Sequence, residues 1–319
     1  IIANEMAHYS IKKSAEGLAP SNLIRVEHAP LQRNSLKVDV EKLNDKVTSL
    51  RRSGARILSI VGIAGQTETG LVDDLKGIGE VARDNGIFYH IDGAYGAPFA
   101  LSKQAHLFDG MSMADAVTCD PHKYLYVPYN TGALLLKDSS EQGRIGELNS
   151  DGNEYMHDKE GYNPGSTRFE GSMGGQGASA LYWTIKKFGA DGFGKLYDHN
   201  LEMTRIFSEH IEESGVMQNV IQPELNTACV APVNYDTHPN ERLDRNPHDP
   251  NFKQVEAHLG SLGIYLSTTK FPVFNNKTGT MEDRRVFRFV ATHPHTNKSD
   301  VEYIADELCS SWKSNLGKA

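Results

Sequence analysis

Between residues 39 and 138 the chain alternates short apolar runs with amphipathic segments, and that alternation restricts the fold more than any other feature. "DVEKLNDKVTSLRRSG" (39–54) sets Val40, Leu43, Val47 and Leu50 at helical spacing and ends at Gly54. "RILSIVGIA" (56–64) predicts a buried strand, "DDLKGIGEVARDNG" (73–86) a helix ending at Gly86, and "IFYHID" (87–92) the next strand. "DAVTCD" (115–120) and "GALLLKD" (132–138) predict two more, and "NLIRVEH" (22–28) an earlier one. Strands joined through helical crossovers form a parallel or mixed sheet covered on both faces. The expected class is α/β, with a ligand beyond the carboxyl ends of the strands.

Residues 139–170 are rich in Gly, Asn, Asp and Ser and break the rhythm, which predicts a mobile loop or lid. Helices are expected at 175–189 and 193–215. Beyond them "TACVAPVNY" (227–235), "GIYLST" (263–268) and "RRVFRFVAT" (284–292) alternate like strands, accompanied by helices at 251–263 and 299–312. The expected organisation is a large domain over 1–190 and a smaller α+β domain over 191–319. The opening "IIAN" reads as the end of a buried strand, so an N-terminal portion of the large domain is expected to be missing or removed.

Composition excludes several function classes. A net charge of -8 leaves no basic surface for nucleic acid or anionic membrane. No apolar run approaches the roughly 20 residues that span a bilayer. The three cysteines, Cys119, Cys229 and Cys309, lie far apart with no metal-binding spacing, and the expected location is the cytoplasm. No metal site is expected.

Four features fall at or near predicted strand ends: Asp92 closing "FYHID", Lys123 past "VTCD", His8 after "IIAN", and the Thr/Gly turn "AGQTETG" at 64–70. Singly each has an ordinary reading: a cap, a solvated charge, a structural imidazole, a turn. Together they match the needs of pyridoxal phosphate. That cofactor takes a lysine for its aldehyde and a carboxylate for its pyridine nitrogen. It also takes an apolar or aromatic sandwich for its ring and hydroxyl or backbone donors for its phosphate.

The same residues carry a family resemblance. "YHIDGAYGAPF" and "DAVTCDPHKYLYVPYNTGALLLKD" resemble the HVDAAxGG and DPHK segments of the group II pyridoxal-phosphate-dependent amino acid decarboxylases. "HYSIKKSAEGLA" is similar to their HxSxxKA segment, "AGQTETGLVDDL" to GTTxxGxxDxL, and "RVFRFVATHPHTNKSDVEYI" to their C-terminal strand–NPxT–helix segment. The order and spacing agree along nearly the whole chain. The resemblance implies a fold-type I enzyme, with a mostly parallel large domain and a smaller α+β C-terminal domain. It implies a decarboxylase that releases CO2 and an amine.

By that resemblance Lys123 carries the cofactor as a Schiff base, Asp92 pairs with the pyridinium nitrogen, Ala94 packs on one ring face and His8 stacks on the other. Thr67 lies near the ring, His122 reaches the phosphate or the substrate, and Ser172 in "FEGSMGG" contacts phosphate across a homodimer interface that shares the active site. The proton returned to the substrate carbon comes from a tyrosine. Tyr129 and Tyr155 are the candidates, with Tyr162 and His122 next. The run "YVPY" after the lysine is similar to bacterial tyrosine decarboxylases and points to an aromatic substrate, tyrosine first.

Two departures stand out. No Gly-rich phosphate turn precedes the His8 segment, and Gln66 replaces the usual Thr or Ser. Three other readings remain open. One is a decarboxylase of acidic amino acids, which would need Arg168 or Arg288 at the distal carboxylate. Another is a carbon–carbon lyase of the sphingosine-phosphate lyase type, whose Gly after Asp is matched in "HIDG". The third is an inactive scaffold without a phosphate turn.

Overall fold

The computed structural model describes residues 1–18, 24–32, 35–129, 131–138, 174–233, 250–275 and 280–316. Its larger sheet contains β1 (Ile2–Ala3), β2 (Glu27–His28), β3 (Ser59–Ile63), β4 (Phe88–Asp92), β5 (Ala116–Cys119) and β6 (Ala133–Leu136). The spatial order is β2-β1-β3-β4-β5-β6. All pairs are parallel except β6, which runs against β5. Ala3 stands opposite Val61, Ile63 opposite Asp92, and Asp92 opposite Thr118, so four strands end along one edge.

The connecting helices are α1 (Tyr9–Leu18), α2 (Val40–Arg52), α3 (Leu75–Asp84), the single turn α4 (Pro121–Tyr124) and α5 (Gln176–Glu213). Helix α2 begins where Asp39 accepts a hydrogen bond from Lys42 N and buries Leu43 and Val47. Helix α3 begins in the same way at Asp74 and buries Leu75, Ile78, Val81 and Ala82. These faces join Ile60, Ile91 and Val117 of the sheet in one core, each large side chain contributing about 1.5–3 kcal/mol.

The smaller sheet is antiparallel. It contains β7 (Met217–Ile221), β8 (Thr227–Pro232), β9 (Ser267–Asn275) and β10 (Thr280–Val290), in the order β7-β8-β10-β9. Helices α6 (Pro250–Ser261) and α7 (Lys298–Leu316) cover it together with the second half of α5. Stacked rings, Phe207 on Phe289 at 4.2 Å and Phe252 on Phe287 at 4.5 Å, fill that core. The fold class expected from the sequence is the one observed.

Several elements differ from the sequence expectation. The strand expected at 22–28 is described only as Glu27–His28, because β2 is an edge strand whose one partner, β1, offers just two residues. Residues 263–266 are not strand. Gly263 takes a φ of +79° and Ile264 N bonds back to Leu259 O at 2.9 Å, so this stretch caps α6. The two helices expected at 175–189 and 193–215 are found, as two halves of α5 that meet at a non-helical kink at Gly189 (φ 60°, ψ -178°). Strand β7 was not expected. The loop or lid expected at 139–170 lies outside the described residues.

A buried carboxylate holds the site edge of the larger sheet. Asp73 Oδ1 accepts from Asn4 Nδ2 at 3.2 Å and Val38 N at 3.0 Å, and Oδ2 accepts from Ile63 N at 3.0 Å. This ties the residue after β1 to the end of β3. Burial pushes the Asp73 carboxyl up to about 6, and the three donors and Lys37 limit the rise.

A second network joins the two sheets. Asn226 Nδ2 donates to Tyr124 Oη and to Ala291 O, both at 2.5 Å, and Asn226 Oδ1 accepts from Tyr95 Oη. Tyr95 also shares a hydrogen bond with Thr227 Oγ1 at 3.0 Å. Glu224 pairs with Lys37 and accepts from Val72 N at 2.9 Å.

Two outcomes follow from these buried groups. Asp73 binds its proton more tightly folded than unfolded, so its stabilising effect is full at low pH and is lost as pH rises through about 6. Across that window urea unfolding should show a loss of ~3 kcal/mol from this group, and Asp73→Asn should flatten the slope. An unchanged slope would assign it elsewhere. Asn226→Ala removes the partner of the Tyr124 hydroxyl and the Ala291 carbonyl, while Tyr95 keeps Thr227, so it should cost about 3 kcal/mol in the same measurement. A cost below about 1 kcal/mol would mean that water replaces the amide.

Candidate active site

The end of β4 and the end of β5 are bonded to each other beyond the ladder. Gly93 N donates to Thr118 O at 3.1 Å, and Asp120 N donates to Ala94 O at 3.1 Å. The chain then enters α4 with Pro121 at its first position, where the missing N–H costs nothing. Asp92, Ala94 and Lys123 are thereby brought together. Asp92 and Ala94 are half-buried, and Asp92 Oδ1 accepts one local backbone bond, from Ala94 N at 3.3 Å. Lys123 Nζ lies 3.0 Å from Asp120 Oδ2, one helical turn earlier, with 36% of its side chain exposed against 19% for Asp120.

His122 Nδ1 lies 2.9 Å from Thr131 O, and a carbonyl only accepts, so Nδ1 carries the proton there. In the neutral ring Nε2 is then the acceptor, 3.9 Å from Asp120 Oδ2. Tyr129 packs its ring 4.6 Å from that of His122 and is 82% exposed. His8 follows β1. Its Nδ1 accepts from Ser10 N at 3.4 Å and lies 2.9 Å from Ser10 Oγ, which leaves the proton of the neutral ring on Nε2.

The turn after β3 is built differently from its expected form. Gln66 is buried and its amide is used internally: Nε2 donates to Leu36 O at 2.7 Å and Oε1 accepts from Thr69 Oγ1 at 2.7 Å. Thr67 is exposed, and its carbonyl accepts from Arg288 at 2.6 Å. Arg288 Nε also donates to Glu68 O at 3.0 Å. The guanidinium on β10 therefore clamps the Thr67 turn. The turn after β4 comes equally close: a Cβ on Gly65, whose φ is +99°, would lie 2.6 Å from the Tyr95 ring.

Asp120 and His90 were not picked out from the sequence, nor was the turn-holding role of Arg288. Asp120 is the lysine's ion-pair partner, and its helical i,i+3 spacing was a signal that could have been used. His90 shares the sheet face of Asp92, and its Nε2 lies 3.1 Å from Thr118 Oγ1 on β5. Burial lowers the His90 imidazole's pKa, against an opposing pull from Asp92, and period-two alternation places the two residues on one face. Arg288 had no local signal, because its partners are more than 200 residues away. Tyr155, Tyr162, Arg168 and Ser172 lie outside the described residues. Among the described residues no His, Cys, Asp or Glu cluster is arranged to hold a metal. No described helix is long and apolar enough to cross a membrane.

The chain is 28% identical to the aspartate 1-decarboxylase of Aliivibrio fischeri, covering 96% of this chain and 56% of that protein. It is also 28% identical to the aromatic-L-amino-acid decarboxylase of Bacillus atrophaeus, covering 94% of this chain and 60% of that protein. The chain thus spans a little over half the length of these relatives. Among solved structures, mouse CSAD in its apo form superposes with a TM-score of 0.78 at 22% identity, covering 97% of this chain and 63% of that one. The profile of the pyridoxal-dependent decarboxylase conserved domain matches residues 1–231, and the chain belongs to that family.

Proposed function

We propose that the protein is a pyridoxal-phosphate-dependent decarboxylase of an L-amino acid, aromatic rather than acidic, with tyrosine the first substrate to test. The observation that carries this reading is the placement of a carboxylate, Asp92, and an amine, Lys123, at neighbouring strand ends, with Ala94 hydrogen-bonded between them. The residues fit the cofactor. Asp92 has a single long local donor, which leaves acceptor capacity for a protonated ring nitrogen. Ala94 presents a small apolar surface, and His8 comes from the neighbouring edge of β1.

When bound, pyridoxal phosphate supplies an aldehyde that bonds covalently to amines and a protonated ring that takes up the electrons released with CO2. Asp92 keeps the proton on the ring nitrogen by its opposite charge. Lys123 provides the amine that holds the cofactor, and Asp120 receives its ammonium at 3.0 Å when it is released. Ala94 and His8 enclose the ring and exclude water, with Thr67 at its rim. His122, held by its Nδ1 on Thr131 O, serves the phosphate or the substrate side through Nε2. Tyr129, exposed and packed on His122, donates the proton to the carbon that has lost CO2. Tyr155 and, for the phosphate, Ser172 complete the proposed set from outside the described residues.

The state of Arg288 supports the aromatic choice. An acidic substrate needs a cation at its distal carboxylate, and this guanidinium donates instead to Thr67 O and Glu68 O. A homodimer with a shared site and a cytoplasmic location complete the reading. Free Cys119, Cys229 and Cys309 accord with a reducing compartment.

Full-length protein incubated with pyridoxal phosphate and a panel of amino acids should release CO2 and amine, fastest from tyrosine. Release from aspartate or glutamate alone would overturn the substrate, and no cofactor absorbance would overturn the enzyme. Borohydride reduction and peptide mapping should tag Lys123, and a tag on another lysine would sink that assignment. Tyr129→Phe should keep cofactor binding, lower amine formation by about 100-fold and raise carbonyl by-product, as expected when a general acid is lost. An unchanged ratio of amine to by-product would pass the role to Tyr155.

A further inference from the structure

We propose that Tyr126 is a positioning residue that fixes the lysine-bearing turn against the smaller sheet; the role rests on Lys123 being the cofactor lysine. Tyr126 is the one non-glycine with positive φ among the described residues, at 55°. A left-handed backbone is disfavoured for an L-residue, and a bulky aromatic side chain adds no local hydrogen bond to its own backbone to offset this, as Asn or Asp would. The strain sits three residues past Lys123, directly after the single turn of α4.

Something outside the turn must hold it, and the phenol does. Tyr126 Oη donates to Thr292 O at 2.8 Å and accepts from Asn200 Nδ2 at 3.0 Å. Thr292 lies just beyond β10, and Asn200 is buried in α5. The neighbouring Tyr124 is held in parallel: its carbonyl accepts from Tyr197 Oη at 2.7 Å, and its hydroxyl meets Asn226, which also binds Ala291 O. Two successive carbonyls after β10, at 291 and 292, therefore anchor the two tyrosines that follow Lys123. The turn is short, and Val127 N closes back on Pro121 O at 3.3 Å, so movement at Tyr126 is transmitted to Lys123. The smaller sheet thereby sets where the lysine amine stands relative to Asp92.

Tyr126→Phe removes the hydroxyl and little volume; Asn200→Ala removes one of its two partners. Amide hydrogen exchange on full-length, cofactor-free protein should rise about tenfold over residues 121–127 in Tyr126→Phe, by less in Asn200→Ala, and not in β3 or β4. The rate at which added pyridoxal phosphate becomes borohydride-trappable on Lys123 should fall at least fivefold in Tyr126→Phe. Exchange unchanged at 121–127, or raised evenly along the chain, would overturn the clamp. Faster local exchange with an unchanged trapping rate would reduce Tyr126 to a structural anchor and overturn the positioning role. Should Tyr126→Phe fail to fold, Asn200→Ala decides by the same two readouts. A tag on a different lysine would refute the proposed function, while the exchange data would still judge the Tyr126 clamp alone.

Discussion

The site depends on a carboxylate that never meets a ligand. Asp73 is fully buried and accepts from Asn4, Val38 and Ile63. Asn4 begins the loop that leads to His8, and Ile63 ends the strand that leads to Thr67. Without that pin, a two-residue β1 would have little to hold it in register, since only Ile2 and Ala3 pair with β3. Burial of the charge is offset by three donors, and those donors fix two strand ends at once. Removing the carboxylate would leave the buried N–H groups of Val38 and Ile63 without their acceptor.

The smaller sheet does more than cover one end of the larger. Arg288 on β10 holds the Thr67 turn, Asn226 joins Tyr95 and Tyr124, and the Thr292 carbonyl receives Tyr126. Each contact ends on a turn that follows a strand of the larger sheet. Several of these groups are carbonyls, which supply direction without charge, so the turns are placed at little desolvation cost. The three tyrosines near the lysine consequently divide. Tyr124 is buried with its pKa raised by desolvation, Tyr126 is tied to a carbonyl, and Tyr129 alone is well exposed.

Lys123 and Asp92 were legible because strand-end position and residue type are both local. The ion pair of Lys123 with Asp120 was legible in principle, since it depends on one helical turn. The departure at Gln66 finds its use in internal bonds with Leu36 O and Thr69, because a buried amide must find partners. The early end of the strand expected at 263–268 has a similarly local cause in the left-handed Gly263, which turns those residues into a cap. The break at Gly189 between the two halves of α5 is equally local, since its φ of 60° lies in the region that favours glycine.

The sequence by itself determined the α/β alternation, the strand ends that carry Asp92 and Lys123, and the family, because hydrophobic period and motif spacing are properties of neighbouring residues. Tertiary structure decided which of those ends meet, that Arg288 bonds the carbonyls of the Thr67 turn, and which tyrosine stays accessible. Those outcomes come from partners 69 to 221 residues apart, such as Asn4 with Asp73 and Arg288 with Thr67. Separations of that size leave no local pattern, since the geometry exists only after the sheets have paired and closed the distance.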